Sequence, residues 1–303
     1  PLLTHDPTAM GTLFLRRASF LSTNVGDLEA ANHEVTRAIE IFEATGNQGR
    51  LAASLNELAW VKGLAGDLES QIELSRSALA LAERQEDEDV RLHALGSLGH
   101  ALTEIGRHDE AEAIATLGCE LSARSGDRTQ AGWHAGTLGD VYCSRGDFGK
   151  AMAVTDAFLR KGPSLSEVFY DYRARAAWLC GRWTDALDCC RVALALNPDA
   201  PSRHAAWILS LAGLLEVERD RAEAAGPLLA QADRVYADDE FYWFSAEHRW
   251  ASGRAHMLMG NRAEARRQTP DMGLPRYRRG ATARRRLHHA RQHRRQRSRE
   301  VRF

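Results

Sequence analysis

Three side chains in the middle of the chain have the right types for a metal site: His100, Asp140 and Cys143. Imidazole, carboxylate and thiolate are common donors to zinc. No short-range ligand pair supports them, so a solvated groove is the expected setting and no metal is assigned. Cys189 and Cys190 are adjacent. Neighbouring side chains on a helix point apart, so these two read as small core residues and not as a chelate. Acidic runs at 86–89 (EDED) and 238–240 (DDE) contain enough carboxylates for proton transfer. Both fall where a helix ends and a connection begins, so solvated loop charge is the expectation. Phosphate-binding GxxxxGK[ST] and GxGxxG loops are absent, as are GxSxG and HExxH. No catalytic residue and no cofactor is expected, and the chain is not read as an enzyme. What remains is binding chemistry. Aromatic rings and arginines anchor bound peptides through large buried area and forked hydrogen bonds. The candidates of that kind are Trp60, His93, His100, Trp133, Asp140, Asp171, Arg175, Trp178, Trp250 and Arg254.

These candidates form a column only because of recurring punctuation. Turn glycines stand at Gly26, Gly66, Gly106, Gly146, Gly181 and Gly260, with Arg219 in the equivalent place between the last two. The intervals are 40, 40, 40, 35, 38 and 41 residues. Five residues after six of the seven turns comes alanine: Ala31, Ala111, Ala151, Ala186, Ala224 and Ala265, with Gln71 as the exception. Seven residues before the turn stands Ala59, Gly99, Gly139, Ala174, Ala212 or Gly253. Small residues at both places let two helices of a pair approach closely. The residue six before each turn then faces a shared wall, as do residues one or two helical turns away. That column runs Phe20, Trp60, His100, Asp140, Arg175, Gly213 and Arg254.

Helix is the only element that fits. No proline occurs between Pro7 and Pro163, and Leu68, Ile72, Leu74, Leu79 and Leu81 recur at helical spacing. No segment alternates as a strand with hairpin signals. Gly226-Pro227 falls inside the sixth second-helix, which should start late or kink there. The stretch Gly181 to Pro198, GRWTDALDCCRVALALNP, resembles the second half of a tetratricopeptide (TPR) repeat. The resemblance covers roughly residues 10–268 and implies a right-handed α-solenoid of about seven antiparallel helix pairs, with the first helix of each pair lining a concave face. The interval near 40, longer than the usual 34, suggests extra residues in the connections between pairs, such as 46–50 (GNQGR) and 125–130 (SGDRTQ).

Turns reading GD or GR and phrases such as LALAERQED resemble the C-terminal repeat region of ATP-dependent LuxR-type bacterial transcriptional regulators and their SARP-like relatives. That resemblance implies a sensor and assembly region that receives a peptide, a protein or a small inducer. A nucleotide-binding module would lie upstream and a DNA-binding helix-turn-helix downstream. DNA would then be reached only through a domain outside this chain.

Composition frames these readings. With 303 residues and 44% hydrophobic content the chain can bury a sizeable core. Five cysteines without a CxxC pair argue against a disulfide framework and for a reducing compartment, and no apolar run approaches a membrane span. A cytoplasmic protein is expected. The net charge of −1 conceals an asymmetry: residues 276–303 hold 12 Arg and one Glu, or +11, which leaves −12 for residues 1–275. Residues 1–10 read as a truncated lead-in, 11–268 as the repeat domain and 269–303 as an Arg-rich disordered tail. The tail has two readings, a basic arm for nucleic acid or acidic partners, or out-of-frame text from GC-rich DNA. The second is preferred because Thr269-Pro270 cuts the last helix mid-repeat.

Overall fold

A computed structural model describes residues 6–164, 167–196, 203–236 and 243–268. Among them lie fourteen α-helices and no strand, arranged as seven consecutive pairs. The pairs are α1 (Pro7–Phe20) with α2 (Leu28–Ala44), α3 (Gln48–Leu64) with α4 (Leu68–Gln85), and α5 (Glu88–Glu104) with α6 (His108–Ser125). Next come α7 (Arg128–Arg145) with α8 (Phe148–Leu159) and α9 (Glu167–Leu179) with α10 (Trp183–Leu196). The last are α11 (Arg203–Glu218) with α12 (Ala222–Tyr236) and α13 (Trp243–Leu258) with α14 (Arg262–Gln268). Each odd-numbered helix packs on its even-numbered partner and on the next odd-numbered helix. Successive even-numbered helices do not meet to the same extent. The odd-numbered helices therefore form the inner wall of an α-solenoid of the TPR-like kind.

The long interval is carried by the helices and not by the connections. Left-handed residues recur every 20 positions at Gly26, Gly46, Gly66, Glu86, Gly106, Gly126 and Gly146. Links within a pair and links between the early pairs thus have one design. After the left-handed residue the next N–H closes the old helix: Asn47, Asp67 and Asp87 donate to the carbonyls of Phe42, Lys62 and Ala82 at 2.9–3.0 Å. The same residue's side chain then opens the new helix by accepting from the N–H three residues on, at Arg50, Ser70 and Val90. Such a cap contributes about 1 kcal/mol. Residues 48–50 and 128–130 are therefore first turns of α3 and α7, not loop insertions. Gly46-Asn47 and Gly126-Asp127 carried the signal, since they repeat the Gly-Asp of 26–27, 66–67 and 146–147.

The expected small residues meet where two helices touch. Ala31, Ala111, Ala151 and Ala186 are fully buried. Gln71, the exception, is also buried; its amide donates to the Ser97 carbonyl at 3.2 Å. Gly63 makes room for it, because a Cβ there would stand 2.1 Å from the Gln71 Oε1. In the sixth pair the left-handed residue is Asp220, with φ 59°, and not Arg219. The alignment there shifts by one: Ala225 is buried and Ala224 exposed. Gly213 then becomes the small contact residue, its Cβ position 3.5 Å from the Ala225 carbonyl, and Leu214 replaces it in the wall column. Helix α12 starts on schedule at Ala222 and continues through Pro227. Gly226 and Pro227 are both exposed, so water can take the bond that the ring forfeits.

At Gly139 a Cβ would lie 3.4 Å from Thr155 Cγ2 and 3.7 Å from the Ala151 carbonyl. Alanine nearly fits there and leucine does not. Gly139→Leu should lower stability by roughly 1–3 kcal/mol or more through overpacking, while Gly139→Ala changes little. Urea melts of both variants check this; equal midpoints would show that the contact has slack.

Candidate ligand-binding wall

The wall divides into two chemically different halves. On α3, α5 and α7 it is aromatic and half open. Trp60 lies 5.8 Å from His100 and 6.2 Å from Trp133 between ring centroids, the latter pair edge-on at 86°. His93 stands 6.1 Å from Trp133. Trp60, His93 and Trp133 are partly exposed, and His100 is buried at 5%. A glycine positions the cluster: a Cβ on Gly96 would come within 2.8 Å of the Trp133 ring, so the indole of α7 crosses the backbone of α5. His93 is fixed from both sides. Its Nδ1 faces the Asp89 carbonyl at 2.9 Å, and its Nε2 lies 2.9 Å from the Gln130 amide nitrogen.

From α7 to α11 the wall is charged and closed. Asp140, Asp171 and Arg175 are 4%, 1% and 5% exposed. Arg175 Nε donates to Asp171 Oδ1 at 3.1 Å, and Trp207 Nε1 donates to the same oxygen at 2.7 Å. The guanidinium also lies over the Trp207 ring at 4.9 Å and the Tyr172 ring at 5.9 Å. Burial pushes the Asp171 carboxyl up, against the opposing pull of Arg175 and the Trp207 bond, and Asp140 pushes it further up. Tyr172 occupies the space left by Gly136, where a Cβ would be 2.6 Å from the ring. Toward the C-terminal end Arg254 is half-buried and gives two hydrogen bonds to Glu218 Oε1, at 3.0 and 2.6 Å. Trp178 is half-buried against the core. The side chain of Trp250 and all calls on the tail, residues 269–303, lie outside the described residues.

Of the ten expected wall residues, Trp60, His93 and Trp133 thus share a half-open cluster with His100 at its floor, while Asp140, Asp171 and Arg175 form a buried set. Phe20 is 59% exposed at the start of the column. Glu57 and Gln130 belong to the aromatic half and were not expected. Glu57 stands one helical turn before Trp60 on the same face, and that spacing was the available signal. Among the described residues no group of three His, Cys, Asp or Glu side chains is placed to hold a metal ion, so His100, Asp140 and Cys143 do not assemble. Burial pushes the Cys119 thiol up to about 12 and Cys189 to about 11, and Cys190 well above its ordinary value. Held protonated, these thiols are poor nucleophiles. No helix among the described residues is long and apolar enough to cross a membrane.

No protein-family model matches the chain. No curated protein matches it either. Solved structures do resemble it. A Rap protein complexed with competence and sporulation factor superposes with a TM-score of 0.66 at 11% identity, over 93% of this chain and 76% of that one. NprR in complex with its cognate peptide NprX gives 0.62 at 11% identity, over 89% and 77%. The apo form of RapI gives 0.58 at 13% identity, over 91% and 98%. At such identities the likeness is one of fold.

Proposed function

We propose that the chain is a peptide-binding regulatory scaffold whose ligand lies along the inner wall against the aromatic half. The observation that carries this reading is the half-open cluster of Trp60, His93 and Trp133, gathered from three successive odd-numbered helices. Large, preorganised rings on a rigid wall are what peptide anchors require. Two of the similar folds, covering nine-tenths of this chain, are complexes: one with competence and sporulation factor, one with a cognate peptide. In the finer reading the chain is the sensor and assembly region of a cytoplasmic bacterial transcriptional regulator. A small inducer is then a further ligand class, and DNA is contacted only by a domain outside this sequence.

The test is a random heptapeptide library displayed on phage and panned against the full chain. Trp60→Leu should weaken the recovered peptides at least tenfold, the scale of an anchor truncation. Its far-UV circular dichroism should remain that of the parent. Peptides that bind the variant and the parent equally would place the ligand elsewhere.

A further inference from the structure

Exposed apolar surface is concentrated at the two ends of the array. Six large apolar side chains are exposed among the described residues, and five of them lie there: Leu13 and Phe20 on α1, Val25 just before the first turn, and Met257 and Leu258 on α13. Terminal repeats of a solenoid ordinarily present a polar outer face, which keeps the array soluble. These two ends do not. Inside the array the places of Met257 and Leu258, three and four residues after the column, include Leu64, Thr103, Cys143 and Leu179, all buried. Each of those helices has a following pair, and α13 has none among the described residues. Both end patches run up to a left-handed turn glycine, Gly26 at φ 80° and Gly260 at φ 81°. Column residues of successive odd-numbered helices stand side by side in this array, as Trp60 does with His100. Laying α1 of a second copy beside α13 in that manner brings the two patches level.

We infer that the α13 end of one copy stacks on the α1 end of a second copy, continuing the packing of pair on pair that the chain repeats along its length. Met257 and Leu258 then meet Phe20 and Val25, and burial of their apolar area drives the contact. The contact is head to tail, with a different end of each copy given to each neighbour, so association does not close at a dimer. Charge at the rim opposes it. Arg16 on α1 and Arg262 and Arg266 on α14 are exposed on the helices brought together, and like charges repel. Salt screens that repulsion and strengthens the stack. Attraction between the basic residues 276–303 and the acidic body of another copy would have the opposite salt dependence. The stack is independent of the peptide-binding reading and stands or falls without it.

The experiment is sedimentation velocity on the full chain across the micromolar range. Mass should rise with concentration past the dimer, and more so at high salt than at low. Phe20→Lys spoils only the α1 end and Met257→Lys only the α13 end. Each should weaken association at least tenfold, with circular dichroism unchanged because both side chains are 59% exposed. An equal mixture of the two variants should form a dimer and nothing larger, since one sound end of each kind remains. A parent that stays monomeric overturns the stack, including the case in which its own residues 269–303 cover α13. A closed dimer, an association that weakens with salt, or a mixture no more associated than its components overturns it as well.

Discussion

Arg175→Ala should lower stability by about 3–5 kcal/mol, the cost of leaving a buried carboxylate without its partner. On sequence grounds Arg175 belongs to the ligand-touching column, where its removal would spare the fold and abolish binding. Burial reverses that expectation. The Arg175 and Asp171 side chains are 6% and 1% exposed. Removing the guanidinium would strand Asp171 beside Asp140, which already pushes its carboxyl up. The double variant Arg175→Met with Asp171→Asn should recover most of the loss, because it removes both charges and leaves an amide oxygen for Trp207 Nε1. Urea unfolding of the two variants decides the matter. A single variant as stable as the parent would mean that water reaches Asp171.

Acid should destabilise the protein through His134. This ring is fully buried on α7, in space that Gly118 leaves open: a Cβ there would be 2.2 Å from its Nδ1. Burial lowers its pKa from 6.5 to about 4, with a further push from His93. The folded state therefore binds a proton less readily than the unfolded chain does. Stability from this group is intact above pH 6.5 and falls as pH drops from there toward 4. At 1.36 kcal/mol per unit the loss is about 3 kcal/mol. His134→Gln does not titrate, so its stability curve should lack that share of the fall. Parallel curves for parent and variant between pH 6.5 and 4 would show that His134 is not held neutral.

Much of the fold was legible because its signals are local. A left-handed glycine, a capping aspartate and a small contact residue each act within a few positions, so their spacing survives in sequence. The one-residue error at Arg219 arose where aspartate, at Asp220, does the work of glycine. The connections at 46–50 and 125–130 were misread although Gly46 and Gly126 mark them; at the link between those two, Glu86 takes a left-handed conformation with no glycine, which hides the 20-residue recurrence. The wall was harder to read, since exposure depends on how closely neighbouring helices approach. Gly96 and Gly136 let Trp133 and Tyr172 fold across them. Side chains that look alike in the column thus end half-open at Trp60 and buried at Asp140 and Arg175. Glycines a helical turn before the column residue were the available clue, but it takes the ring of the next pair to interpret them.

Each helix makes its substantial contacts with helices one or two places away in the chain. A folding pair consequently needs nothing that has yet to be made. As the polypeptide leaves the ribosome, every new pair can settle on the one before it, and the growing end waits on about one repeat of sequence and not on the whole chain. Translation order and assembly order coincide in such an array, with the aromatic half of the wall in place before the buried charges of the closed half are enclosed.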